Sequence, residues 1–402
     1  MFHLPREHIA RCAVIPCTKF GFEGPAFGPL VKLMLVYIQV LRFLAAFAVV
    51  AFHAWGVAPE GYKVPDNAAA FVLSHGGHGV DLFFVISGFI IYYATHHATR
   101  DAAKFLRRRV ERIVPLYFFV TFAVTLLGVT LPEMFGTPDW FTVRHVLKSL
   151  AFISFTDGGM PVVYVGWSLE YEMYFYLTAA LLMALTQNVW RNIVVLFSAL
   201  AILGQGPGVA AAMGPYAFFA DPLILEFVLG VIVGTIFVKG RIEWPALAAA
   251  ACAIIAVLAA DPASRVITSG LPSACLVVAA AFASRKRSAP SWPERALARL
   301  GDASYSIYLV QVNTVSLATM AMVALIPGIA PLLLVLATSC IVTALGLLLN
   351  IFVERPALKL ARRLDWSGWR AEKAELSVAP GASPQRFQGA HIRKMPPGRR
   401  VR

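Results

Sequence analysis

Between residues 36 and 353 the chain alternates long apolar runs with short polar breaks. Ten of the runs approach or reach the length of a helix that crosses a bilayer. They cover 36–57, 79–96, 113–131, 166–186, 191–206, 221–238, 244–260, 266–284, 303–326 and 331–353. The pattern predicts an all-α, polytopic integral membrane helical bundle with about ten transmembrane helices. Pro115 is placed to open the third run, because proline is tolerated in the first turn of a helix. The stretch 141–156 is apolar in places but holds Arg144, His145 and Lys148, which marks it as interfacial rather than spanning. No internal repeat of 20–50 residues is visible in the sequence.

The runs divide the chain into a membrane domain over 34–360, an N-terminal extension over 1–33 and a basic tail over 361–402. The extension mixes Gly, Pro and polar residues and lacks the apolar core of a signal peptide. The tail is poor in apolar residues, and both ends are expected to be disordered.

Composition agrees with a membrane assignment. Of 402 residues, 58% are hydrophobic and 14% charged, and the mean hydropathy is +0.69. A net charge of +13 would suit nucleic acid, but base-reading aromatic motifs are missing and the basic residues fall between the apolar runs. Lys and Arg instead set an orientation, because they accumulate on the cytoplasmic side. Lys104, Arg107, Arg108, Arg109, Arg112, Arg191, Lys239, Arg241, Arg285, Lys286, Arg287, Arg295, Arg299 and the tail fall on one side. The other side has only Lys63, Arg144, Lys148 and Arg265. An even number of spans then puts both termini in the cytoplasm. Cys252, Cys275 and Cys340 read as small core residues, and nothing supports a disulfide or metal role for Cys12 and Cys17.

Against this apolar background the ionisable residues stand out. Arg42 and His53 lie inside the first run, where such side chains are costly enough to suggest function. Eleven residues is about three helical turns, so both share one face, roughly 16 Å apart along the helix. By the charge asymmetry, Arg42 lies near the cytoplasm with Arg107, Arg108, Arg109 and Arg112. Guanidinium groups grip phosphate through paired hydrogen bonds, which suits a polyanion there. His53 lies near the opposite surface, at a depth shared by Asp81 in the first turn of the second run and by Glu170 and Glu172 in the fourth. A base, a carboxylate to orient it and a second carboxylate suit proton removal from a hydroxyl.

Several of these residues carry structural alternatives. The arginine run also satisfies positive-inside anchoring, and His53 also fits a hydrogen-bonded packing role. Asp81 could instead complement the end of its helix. Glu170 and Glu172 are about 200° apart around a helix, so only one of them can face a given site. Glycines between His75 and His78 argue for a loop rather than a metal site. Ser87 and Ser168 lack the context of an activated nucleophile and read as packing residues.

Six motifs, in order, resemble the acyltransferase 3 family of integral membrane acyltransferases, in particular its ExoZ-like branch of exopolysaccharide acetyltransferases. They are Arg42 with His53, Gly79-Val80-Asp81 with Ser87-Gly88, and Arg109-x-x-Arg112-x-x-Pro115-x-Tyr117. Trp167-Ser168-Leu169-x-x-Glu172 follows, then Ser304-Tyr305-Ser306-Ile307-Tyr308-Leu309, then Glu354-x-Pro356. The resemblance covers about 34–360. It implies ten core spans, an acyl-CoA donor on the cytoplasmic side and a carbohydrate hydroxyl as acceptor, and it selects Glu172 over Glu170. Many relatives have histidine where this chain has Gln311.

The reading that follows is an inner-membrane O-acetyltransferase acting on an exopolysaccharide or its lipid-linked precursor. Acetyl-CoA is a donor substrate, with no tightly bound cofactor or metal. Arg42, Arg108, Arg109 and Arg112 are the candidate donor-binding residues. His53 oriented by Asp81, with Glu172 near the acceptor, is the candidate catalytic set. Membrane lipids and polysaccharide biosynthesis machinery are the further partners expected, and nucleic acid is not. The rival from another class is a proton-coupled exporter of a glycolipid or polysaccharide intermediate, since intramembrane Arg, His and carboxylates suit a carrier too. A purely structural membrane subunit is the weakest of the three.

Overall fold

A computed structural model describes residues 35–96, 101–131, 138–286 and 290–363. The readings of 1–33 and of the tail beyond Arg363, with Cys12 and Cys17, lie outside those residues. Each of the ten apolar runs is helical: α1 (Val36–Gly56), α2 (Gly79–Thr95), α3 (Ala102–Thr130), α4 (Trp167–Leu185) and α5 (Val189–Gly204). The rest are α6 (Ile224–Lys239), α7 (Trp244–Ala260), α8 (Leu271–Lys286), α9 (Ser304–Leu325) and α10 (Pro331–Leu349). Among the described residues, seven helical segments are long and apolar enough to cross a membrane, and α5 and α7 are shorter apolar helices. Helix α4 is not among the seven, because two glutamates and three tyrosines dilute its apolar content.

The third run begins earlier than its hydrophobicity suggests. Asp101 caps α3 by accepting a hydrogen bond from the Lys104 amide at 2.8 Å, which starts the helix at Ala102 and makes it 29 residues long. Pro115 is therefore inside the helix rather than at its start. It removes one intrahelical bond. Near this break the Tyr305 hydroxyl donates to the Ile113 carbonyl at 2.8 Å.

The described residues through Lys359 belong to one compact unit, and Leu360–Arg402 to a second, of which only the end of the Arg355–Arg363 helix is described. Helix α1 is central, packed against α2, α8, α9, α10 and the short helix Trp292–Asp302. Outward faces are apolar as well, with Leu44, Phe122, Leu126, Leu181 and Ile255 exposed, as a lipid-facing surface requires. The three described cysteines lie on such faces: Cys252, Cys275 and Cys340 are exposed, which corrects their reading as core residues. In lipid both helix faces can be apolar, so hydrophobicity does not separate core from periphery.

The stretch expected to be interfacial forms the helix Val143–Leu150, with Val143 and Leu147 exposed. Arg144 and Lys148 both pair with Asp157, at 3.2 and 2.5 Å. The Lys148 ammonium holds the Asp157 carboxyl below its usual range.

Small residues bring α2 and α6 into backbone contact. A Cβ on Gly88 would collide with the Phe227 carbonyl oxygen, and one on Gly230 with the Val85 carbonyl oxygen. Close approach of this kind substitutes for hydrophobic drive between helices that already sit in lipid. Gly230→Val should force this pair apart and cost about 1–3 kcal/mol. Thermal unfolding in detergent would show it as a lowered midpoint, and an unchanged midpoint would mean the contact is not tight.

Candidate active site

Three chain segments line up as a column. Helix α1 carries Arg42 at one end and His53 at the other. Helix α9 contributes Ser304, Tyr308 and Gln311, a spacing that keeps them on one face. The turn Tyr164–Gly166 and α4 contribute Tyr164, Ser168, Glu172 and Tyr176, again on one face. Arg42, Arg109, Arg112, Ser168, Glu172, Tyr176, Ser304 and Tyr308 line a cavity inside the bundle.

The arginine end of the column is cationic. Arg42 and Arg109 are 7% and 8% exposed, so neither charge is carried by solvent. Arg42 donates to the Gln39 amide oxygen at 3.1 Å, and the Arg109 guanidinium lies 5.6 Å from the Phe105 ring and 5.9 Å from the Tyr176 ring. Among the described residues, none of Arg42, Arg109 and Arg112 has a carboxylate oxygen within the 4.0 Å of an ion pair. Arg109 Nε and Ser304 Oγ are buried without a hydrogen-bond partner. Burying guanidinium groups this way is costly unless an anion completes them. Arg108 does not join them. It is exposed and outside the cavity, while Arg107 pairs with Glu111 at 2.9 Å.

Glu172 lines the same cavity, where it accepts from Ser87 Oγ at 3.1 Å and from the Tyr176 hydroxyl. The sequence placed it at the depth of His53, and the structure moves it to the arginines. It is eight residues beyond Tyr164, about 12 Å further along the helix direction. Glu170, on another face, is buried and accepts from the backbone amides of Ser154 at 2.8 Å and Phe155 at 3.3 Å. It therefore holds a loop rather than facing the cavity.

At the other end, His53 Nδ1 lies 3.1 Å from Gln311 Oε1. With the amide oxygen as acceptor, Nδ1 carries the hydrogen and Nε2 keeps its lone pair. Gln311 Nε2 is buried without a partner, and the Tyr164 ring stands edge-on to His53 at 5.4 Å. Gln311, and not the Asp81 of the sequence reading, is the side chain that meets His53 in this structure. Asp81 is fully buried and held by Arg265 through two bonds, Nε to Oδ1 at 3.1 Å and Nη2 to Oδ2 at 2.5 Å. His78 approaches the same carboxylate at 3.5 Å and also bonds Ser269 at 2.7 Å.

Between the two ends, the Tyr308 hydroxyl lies 2.8 Å from Ser168 Oγ and donates to the Val165 carbonyl at 2.9 Å. Tyr308 lines the cavity and Gln311 sits one turn further on, so this pair crosses the column midway. Ser87 and Ser168, read as packing residues, thus both reach into the cavity, one toward Glu172 and the other toward Tyr308. Sequence reasoning noted Gln311 only as a departure from the family pattern, and it gave Tyr176 and Arg265 no place in the site. The four-residue spacing of Ser168, Glu172 and Tyr176 was a usable signal, whereas Arg265 had none, being 184 residues from Asp81.

The acyltransferase domain family matches residues 35–351. The chain is 35% identical over 301 residues to the exopolysaccharide production protein ExoZ of Rhizobium meliloti (strain 1021), covering 71% of this chain and 91% of the relative. It is 27% identical to the acyltransferase MdmB of Streptomyces mycarofaciens, over 67% of this chain and 76% of that one. Nodulation protein 10 of Rhizobium leguminosarum bv. viciae is 28% identical, over 67% and 80% of the respective chains. No solved structure matches the chain.

The Asp81–Arg265 bond makes a prediction opposite to that of an orienting carboxylate. Asp81→Asn should lower stability by about 1–3 kcal/mol by leaving the guanidinium without its anion. Adding Arg265→Gln should recover part of the loss. Unfolding midpoints of the two single variants and the double variant form the cycle that measures the coupling. Unchanged midpoints with lost activity would return Asp81 to a role at His53.

Proposed function

The chain belongs to the acyltransferase 3 family of membrane acyltransferases. From that premise we propose that it moves an acetyl group from acetyl-CoA to a hydroxyl of an exopolysaccharide or of its lipid-linked precursor. The observation that carries the proposal is the column itself. Arg42, Arg109 and Arg112, with no carboxylate in ion-pair range among the described residues, stand at one end, and His53, on the same face of α1 as Arg42, stands at the other.

Each end suits one substrate. The CoA moiety is a polyanion, and Arg42, Arg109 and Arg112 offer paired donors to its phosphates. Its pantetheine arm is long and mostly apolar, which fits a route from the arginines past Tyr308 and Ser168. His53 Nε2 then accepts the proton of the acceptor hydroxyl as its oxygen attacks the thioester carbonyl. The carbon–sulfur bond breaks, and the departing CoA thiolate takes the proton from His53. In the stepwise alternative, Nε2 attacks the thioester first and expels the CoA thiolate, and the hydroxyl then displaces acetyl from the imidazole while its proton passes to that thiolate. Protein denatured rapidly near neutral pH and carrying acetyl on His53 would distinguish the second route. Glu172 would hold the donor side of the cavity through Ser87 and Tyr176.

The acceptor class is supported by the similarity to ExoZ, an exopolysaccharide production protein. Counting α4, α5 and α7 with the seven long segments gives ten crossings. The distribution of Lys and Arg then favours an inner-membrane protein with both termini and the arginine end cytoplasmic. Acetyl-CoA is made in that compartment, whereas His53 would face the side where surface glycans mature.

Transfer of labelled acetyl from acetyl-CoA to extracted lipid-linked glycans by the purified protein tests the proposal directly. His53→Ala should lower that transfer by at least about 100-fold, the usual worth of a general base or nucleophile. Its unfolding midpoint should stay near that of the parent. Near-normal transfer would exclude both routes.

The donor end has a separate test. The Arg109→Ala/Arg112→Ala double variant should weaken CoA binding at least about tenfold, and lysines at both positions should restore only part of it. Titration with CoA and dephospho-CoA would show which phosphate is read. Unchanged affinity would reduce the cluster to a topological anchor.

A further inference from the structure

A groove of about 510 Å³ opens beside the His53 end of the bundle, separate from the arginine cavity. It is lined by Trp167 and Tyr171 of α4, by Gln205 and by Phe155 and Phe218, whose rings stack on each other. Phe218 is stacked between Phe155 at 4.2 Å and Tyr171 at 4.3 Å. Its volume falls in the range of small-molecule sites.

Its walls are fixed from beneath. Glu170, 4% exposed, clamps the Ser154 and Phe155 amides. Asp221 accepts from the Tyr171 hydroxyl at 2.9 Å and from the Leu223 amide at 2.8 Å. Both carboxylates line the groove, and among its lining residues there is no lysine or arginine. That charge disfavours CoA and any other polyanion. Aromatic rings beside carboxylate and amide oxygens suit a neutral polyhydroxylated ligand, whose C–H faces lie on rings and whose hydroxyls donate to oxygens.

The groove also adjoins the column. Tyr164, which touches His53, is three residues before Trp167, less than one helical turn or about 5 Å along the helix. We propose that this groove seats a sugar unit of the acceptor glycan next to the unit whose hydroxyl reaches His53. The assignment rests on the acyltransferase reading above. It makes acceptor choice a property of the Ser154–Asp157 and Gly214–Ala220 turns and of the end of α5, away from the donor residues.

A thiol placed in the groove reports occupancy without relying on activity. Gln205 makes only a 3.5 Å bond to the Ala201 carbonyl, so Gln205→Cys should fold in a background with Cys12, Cys17, Cys252, Cys275 and Cys340 replaced. The probe is the extracted lipid-linked glycan fraction that the protein acetylates. Saturating amounts should slow maleimide labelling of that thiol at least fivefold, and CoA alone should not. Phe218→Ala should raise KM for the same fraction at least tenfold, with kcat and CoA affinity unchanged. Full labelling under saturating acceptor, in protein that still transfers acetyl, would overturn the groove assignment alone. Failure to acetylate any glycan fraction would overturn the acyltransferase reading and the groove with it.

Discussion

Guanidinium groups held inside an apolar bundle, with no carboxylate in ion-pair range among the described residues, are the constraint around which this molecule is arranged. Water is excluded from Arg42 and Arg109, and the neighbouring side chains meet them only with an amide oxygen and the faces of Phe105 and Tyr176. A fold that tolerates this must be stable by other means and gains when an anion arrives. Glu172 lines the same cavity but bonds to Ser87 and Tyr176, which leaves the arginines free for a ligand.

The second arginine arrangement has the opposite logic. Arg265 and Asp81 neutralise each other through two hydrogen bonds, a geometry specific to guanidinium and carboxylate. Arg265 stands just before the π-helical turn Val266–Gly270 that leads into α8, and Asp81 is in the first turn of α2. The pair joins those two helices near His53 without entering the column. One molecule thus holds a paired arginine that fastens two helices beside arginines that, among the described residues, have no carboxylate in ion-pair range.

Between the ends, the Tyr308–Ser168–Val165 bonds make the column discontinuous at rest. On the proposed donor route, a thioester moving from the arginines to His53 would have to displace Tyr308 or thread beside it, and this constriction would keep water from it until the acceptor hydroxyl is in place.

Hydrophobic runs and their length were enough to place a helix at each of the ten apolar runs, because a bilayer imposes a long apolar run on any helix that crosses it. Of these, seven helical segments among the described residues are long and apolar enough to cross a membrane. The rarity of charge inside the apolar runs likewise singled out Arg42, His53, Asp81 and the pair Glu170 and Glu172, of which the family resemblance selected Glu172. Where those residues point was not legible. The start of α3 depended on the Asp101 cap rather than on hydropathy, and the cysteines proved peripheral because lipid-facing and buried surfaces have the same polarity. Partnership was least legible of all. His53 bonds Gln311, 258 residues away, Asp81 bonds Arg265, and Glu172 turns to the arginines. Hydrogen bonds and ion pairs act over a few ångströms in space and leave no trace in sequence separation. Only the packing of α1, α2, α4, α8 and α9 decided which polar groups would meet.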